Sequence, residues 1–214
     1  MPLYYDIHTH HQHSDDRVVF ALINRSSDFA HIQAPCTLGL HPWYVQGTQQ
    51  EWSALQSAAV AKDVLAIGEC GLDKLCSTDW SLQLTYFEQQ IELANQLSKP
   101  LIIHCVRAYE EVLHLLRKAT VPVIFHGFNK SVQLANQLCA QNYYLSLGAA
   151  IAQADSPSSI LVQSIPLSQL FLETDQQEKY SIQEIYTIAS NLRGISLEEL
   201  QMHIQNNFRF IFKQ

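Results

Sequence analysis

Short runs rich in β-branched and aromatic residues alternate along this chain with longer segments of helical period, the pattern of stacked βα units around a parallel sheet. The pattern predicts strands at Leu3–His8, Val18–Asn24, Cys36–Leu40, Val64–Gly68, Leu101–His104, Val123–His126, Tyr143–Leu147 and Leu170–Glu173. Helical periodicity covers Glu51–Ala61, Asp79–Ser98, Tyr109–Lys118, Val132–Gln141, Ser158–Gln163, Ile182–Leu192 and Leu197–Phe212. Pro100 stops the second of these, and Ser196 with Glu198 and Glu199 in the first turn caps the last. Eight parallel strands with crossover helices close naturally into an α/β barrel of the TIM type, (β/α)8. At 214 residues the chain is shorter than the roughly 250 typical of that fold. The economy is expected in two early crossovers, residues 9–17 and 25–35, which are too short for full helices. No proline-rich or glycine-rich linker, charge block or repeat divides the chain, so one domain over residues 1–214 is expected. A doubly wound open sheet is the alternative, because secondary structure alone does not distinguish closure.

Composition narrows the class. Hydrophobic residues make up 47% of the chain and charged residues only 15%, against roughly 25% in typical soluble domains. The net charge of −7 argues against non-specific tracking of a polyanion by a basic surface. Cys36, Cys70, Cys76, Cys105 and Cys139 are odd in number, scattered and never in a Cys-x-x-Cys spacing, so reduced thiols are expected. No apolar run approaches the roughly 18 residues that span a bilayer, and no basic segment leads a hydrophobic signal core. A cytoplasmic protein without membrane association is the expectation, and no obligate protein partner is implied. The anomaly is histidine, with ten residues against 13 lysines and arginines, four of them (His8, His10, His11, His13) in one short stretch.

Side chains alternate along a strand, so Asp6, His8 and His10 project the same way from the first strand and its end. Two histidines at i and i+2 can chelate one ion, with Asp6 behind them orienting a ring or supporting the turn. His11 and His13 read as rim histidines. Four more metal-competent residues fall at or just past other strand ends: Glu69, His104, His126 and Asp175. In a barrel these ends meet at one mouth. Four imidazoles and two carboxylates suit zinc, manganese or a similar ion and are too nitrogen-rich for calcium. His41, with Pro42 fixing its turn, is a candidate supporting or substrate contact. Trp43 and Tyr44 can stack on a base or simply pack.

These residues sit in ordered motifs: Asp6-Ile7-His8-Thr9-His10, Gly39-Leu40-His41-Pro42, Ile67-Gly68-Glu69-Cys70-Gly71-Leu72-Asp73, Lys99-Pro100-Leu101-Ile102-Ile103-His104, Phe125-His126-Gly127-Phe128 and Leu172-Glu173-Thr174-Asp175, with Asn207 near the C-terminus. In that order, over nearly the whole chain, the sequence resembles the TatD family of metal-dependent hydrolases, within the amidohydrolase-like superfamily. The resemblance implies one metal site made by His8, His10, Glu69 and Asp175 and a second made by His104 and His126 with Glu69 shared. Two divalent ions, of zinc, manganese, magnesium or nickel, are thereby implied. Such a pair can clamp the attacking and leaving oxygens of a displacement. Asp175 is then the candidate general base, with Glu69 also in the catalytic set. Asp6, His41, Asp73 and Arg107 are candidate substrate or supporting contacts.

For the family this chemistry is phosphodiester hydrolysis on DNA, including exonuclease action from the 3′ end. The implied substrate is a DNA end or a small phosphodiester, hydrolysed by a metal-activated water. An ester or amide hydrolase on the same barrel is the alternative, and a non-catalytic metal-binding protein the third reading. The chain departs from the family pattern at His11-Gln12-His13, at Cys105-Val106-Arg107, at Gln176–Tyr180 and at Gly127 with Asn129-Lys130-Ser131. All these changes touch the rim of the site rather than the ligand set. Two divalent ions would move the net charge to about −3 and shift phosphate attraction from basic side chains onto the metals.

Overall fold

The structure, a computed structural model, describes residues 4–11, 19–26, 29, 35–154 and 156–213. Its strands are β1 (Tyr4–Thr9), β2 (Val19–Arg25), β3 (Cys36–Leu38), β4 (Val64–Asp73), β5 (Leu101–Val106), β6 (Val123–Phe125), β7 (Tyr144–Leu147) and β8 (Leu170–Leu172). Its α-helices are α1 (Gln49–Ala59), α2 (Trp80–Leu97), α3 (Tyr109–Leu116), α4 (Val132–Ala140), α5 (Pro157–Ser164), α6 (Ile182–Arg193) and α7 (Leu197–Phe212), with short 3-10 helices at Ala149–Ala152 and Leu167–Gln169. Every strand and helix expected from the hydrophobic pattern is present. The eight strands follow one another as β1-β2-β3-β4-β5-β6-β7-β8 in one sheet. A doubly wound sheet reverses its strand order at a switch point, and this order has no reversal. A parallel bridge between Thr9 and Asp175 joins the end of the first strand to the chain just past the last, as the (β/α)8 class requires. The two short crossovers and His13 lie largely or wholly outside the described residues.

Packing divides the chain into two compact units, residues 1–23 with 124–214, and residues 24–123. In the first, β1 pairs in parallel with β2, and β7 lies between β6 and β8. Tyr5, Phe20 and Phe208 form an aromatic cluster with ring centroids 4.7–5.8 Å apart, seating α7 on β1. The buried Tyr186 of α6 accepts from the Tyr5 N–H and donates to the Tyr5 carbonyl, each at 3.0 Å. These contacts use polar backbone that would otherwise be unsatisfied in an apolar setting. In the second unit β4 pairs with β3 and β5, α2 packs on β4, and Phe87 and Ile91 of α2 are buried, as are Ile67, Leu72 and Leu101 of the strands. Helix starts follow the capping chemistry of the sequence: Thr48, Asp79, Ser131, Ser156, Ser181 and Ser196 each accept a first-turn N–H. All five cysteines are free thiols. Among the described residues, no helix is long and apolar enough to cross a membrane.

The fourth strand corrects the sequence reading. It was expected to stop at Gly68, leaving Glu69 just beyond its end, but β4 runs on to Asp73 with Glu69 inside it. Gly68 and Gly71 hold φ of +151° and +145°, and the register against β5 shifts between Ile67 and Cys70. The glycines therefore mark a bulge within the strand and not its terminus. A Cβ on Gly71 would lie 2.0 Å from the His104 carbonyl oxygen. Gly71→Ala is accordingly expected to cost at least about 2 kcal/mol, combining backbone strain with the backbone overlap. Urea denaturation measures this, and unchanged stability would rule out the close approach of β4 and β5.

Candidate metal centre

In the unit formed by residues 1–23 and 124–214, the ends of β1, β6 and β8 bring four predicted residues together. The chain past β8 is pinned to β1 by two backbone bonds, Asp175 N–H to the His8 carbonyl at 2.9 Å and His10 N–H to the Asp175 carbonyl at 3.1 Å. This pairing puts Asp175 Oδ1 3.6 Å from His8 Nε2 and 3.5 Å from His10 Nε2. The His8 and His126 rings lie 4.1 Å apart by centroid. His8 is fully buried, whereas the Asp175 side chain is 41% exposed. Asp175 has φ +54°, a left-handed conformation that aspartate tolerates better than most side chains.

Asp6 is fully buried and holds the turn that carries Asp175. Its carboxylate accepts the Thr174 N–H at 3.0 Å and the Thr174 hydroxyl at 2.6 Å, the turn-supporting role expected of it. Glu173, quoted within a motif but not placed in the ligand set, is buried and lies with Oε1 3.5 Å from His126 Nδ1. It also accepts the Gly127 N–H at 2.6 Å. Burial pushes the Glu173 carboxyl up, but hydrogen bonding and charge from His126, with His8 nearby, hold it below the usual carboxylate range.

In the unit of residues 24–123, β2, β3, β4 and β5 build a second cluster around Glu69. Asn24 clamps this residue twice, accepting its N–H at 2.9 Å and donating Nδ2–H to Oε2 at 3.0 Å. The Thr37 hydroxyl donates to the same Asn24 oxygen at 3.2 Å, which fixes the amide's orientation. Glu69 Oε1 faces His41 Nε2 at 3.0 Å and His104 Nδ1 at 2.8 Å. His41 Nδ1 accepts the Trp43 N–H at 3.1 Å, so its proton is on Nε2, directed at Glu69. The other nitrogen of His104 faces Asp73 Oδ2 at 3.1 Å, and Asp73 also accepts the Trp43 indole N–H at 2.6 Å. Burial pushes the Asp73 carboxyl up, but bonds from Trp43, the Leu75 N–H and His104 outweigh it and keep the carboxyl below its ordinary range. His41 thus supports Glu69, and Asp73 orients His104, as metal-site partners do. Arg107 lies exposed just past β5 with φ +55°.

His11 is an exposed rim residue, with Nε2 3.1 Å from the Gln176 carbonyl and Nδ1 3.7 Å from Glu178. Asn24, Glu173 and Thr174 are the contributors that sequence reasoning missed. Asn24 falls at the end of a strand, as His104 and His126 do, but a strand-end amide carries no metal-ligand signal in the sequence.

The donor chemistry fits a divalent cation. Among the described residues His8, His126 and Asp175 form one group able to hold an ion, and His41, Glu69 and His104 another. The 3.5–3.6 Å gaps from Asp175 to His8 and His10 exceed normal hydrogen-bond lengths. They match the roughly 3.4 Å edge between ligands held tetrahedrally at about 2.1 Å.

The family model for TatD-related DNases matches residues 6–213 of the chain. The chain belongs to this TatD family. Its relatives include the metal-dependent hydrolase YabD of Bacillus subtilis, 27% identical over 195 residues, 82% of this chain and 76% of that protein. The 3′-5′ ssDNA/RNA exonuclease TatD of Pantoea ananatis is 29% identical over 208 residues, with the same coverage. Among solved structures, the TatD homologue YjjV of Escherichia coli K12 superposes with a TM-score of 0.85 at 22% identity, covering 99% of this chain and 98% of that one. A TatD-family hydrolase from Entamoeba histolytica gives 0.82 at 16% identity, covering 100% and 99%. The TatD family assignment makes the chain a metal-dependent hydrolase.

Proposed function

We propose that this TatD-family hydrolase is a two-metal phosphodiesterase that removes nucleotides from the 3′ ends of DNA, working in the cytoplasm as a single domain of residues 1–214. The observation that carries the reading is the buried Glu69, held at both backbone and carboxylate by Asn24 while one oxygen faces two imidazoles. A carboxylate fixed in this way is suited to the shared ligand role that the family resemblance implies. His8, His10 and Asp175 complete one proposed ligand set with it, and His104 and His126 the other. The Pantoea relative's name supports nucleic acid as the substrate class.

Divalent ions bound there would acidify water and stabilise charge on the attacking and leaving oxygens. The chain's residues supply the rest. Asp175, part exposed and fixed by its backbone, orients the attacking water and takes its proton. Asp6 and Thr174 keep that carboxylate in place. His41 and Asp73 hold Glu69 and His104 in their orientations. Arg107, exposed past β5, is the proposed phosphate contact.

Elemental analysis of the purified protein, followed by assays on DNA ends, chromogenic diesters, acyl esters and amides, tests this reading. About two divalent ions per chain with diester cleavage is the expected result. Turnover of esters or amides with diesters intact would replace it with the acyl-hydrolase alternative, and an inert protein after metal reconstitution would overturn it.

A further inference from the structure

Trp43 and Tyr44, in the turn that follows β3, are 51% and 56% exposed, and the hydrolytic chemistry gives their ring faces no role. Neither is merely a surface decoration. The Trp43 indole is tethered through Nε1–H to Asp73, and its ring lies 5.3 Å edge-on from that of His41. The Tyr44 ring lies 5.4 Å from the His41 ring and 6.3 Å from that of Trp43. Beyond it opens a groove of about 810 Å³, whose lining includes Phe29, Tyr44, Gln46, Thr48, Gln50 and Ala54. All of these residues belong to the 24–123 unit.

We infer that this groove, with Tyr44 as its stacking wall, holds a nucleobase of the strand whose phosphodiester is cleaved, an inference that rests on the phosphodiesterase reading. The volume is within the 300–1,000 Å³ typical of small-molecule sites. Phe29 and Tyr44 give aromatic surface for stacking, which accepts any base. The exposed amides of Gln46 and Gln50 can pair with donor and acceptor edges of a base. The described lining carries no Lys or Arg, and the one carboxylate, that of Glu51, accepts the Gln46 backbone N–H at 3.0 Å. A flat, neutral heterocycle with polar edges suits this wall better than a phosphate does. Tyr44 links the groove to the cluster around Glu69 through its contact with the His41 ring, so a base stacked on Tyr44 would position the end of the strand for the reaction.

Fluorescence anisotropy with the metal-loaded, full-length protein provides the test. The probes are a 5′-labelled, phosphorothioate-linked oligothymidylate, which resists cleavage, and the same strand made abasic at its last two positions. Loss of the bases is expected to weaken wild-type binding by roughly 5- to 150-fold, the range set by base–aromatic stacking. Tyr44→Ala should bind both strands alike, Tyr44→Phe should discriminate as wild type does, and Ala54→Phe, which fills the groove, should lose the discrimination. Equal wild-type binding of the two strands, no binding of either, or a base penalty intact in Tyr44→Ala would overturn the inference. Cleavage of the natural strand is followed in parallel. Cleavage without base discrimination sinks the subsite alone, whereas discrimination without cleavage supports the subsite and sinks the nuclease reading.

Discussion

Glu69→Gln is expected to lower diester hydrolysis by roughly 10³-fold, since on the proposed two-metal reading it removes the ligand shared by both ions and with it several kcal/mol of transition-state charge stabilisation. The substitution conserves volume, so the reason is chemical. Glu69 offers two acceptor oxygens, one to Asn24 Nδ2–H and one to the nitrogens of His41 and His104. An amide must turn its NH2 toward one of these partners. On one side it would oppose the Asn24 NH2, whose orientation Thr37 and the Glu69 N–H fix. On the other it would oppose the His41 Nε2–H, whose tautomer Trp43 sets. Either orientation leaves buried donors facing each other, at a stability cost of about 1–3 kcal/mol. Metal content, turnover of a chromogenic diester and urea denaturation measured on one preparation separate the two effects. Full metal occupancy and wild-type turnover in Glu69→Gln would remove Glu69 from the centre.

Asp175→Asn is expected to reduce turnover by about 10²- to 10⁴-fold, the range associated with a positioned general base, while leaving the fold unchanged. Asparagine accepts the left-handed backbone at φ +54° as readily as aspartate. It also keeps the two backbone bonds that tie this turn to His8 and His10. What disappears is the negative charge beside two imidazoles and the capacity to accept a proton. Circular dichroism and thermal melting should therefore overlay wild type. The loss should appear in kcat in the same proportion as in kcat/KM, the signature of an interaction made only in the transition state. A loss confined to KM would assign Asp175 to substrate binding instead.

Much of this protein was legible in one dimension. Hydrophobic period and capping residues located the seven described α-helices to within a few residues, but not the short 3-10 helices at Ala149–Ala152 and Leu167–Gln169; for Asp79 and Ser98 the expected ends of the helix proved to be the caps themselves. The His8-x-His10 pair could be read because strand alternation places i and i+2 on one side irrespective of what packs around them. The fourth strand misled for an equally local reason. Gly68 looks like a terminator in sequence, but its freedom is used for a bulge that lets β4 pass close to β5 and continue to Asp73. Asn24 and Glu173 were missed because their roles depend on partners 45 residues away in Glu69 and 47 in His126, and no local pattern encodes such a distance.

The sequence alone determined the alternation of strands and helices, the residue types able to bind a divalent cation and their place near strand ends, since these follow from side-chain period and donor chemistry. Only the tertiary structure decided that the strands run in unbroken order from first to last, that Glu69 lies within a strand under the grip of Asn24, and that Asp6 serves the Thr174 turn. Those outcomes depend on which backbones pair and which buried polar groups must find partners, and that accounting closes only in three dimensions.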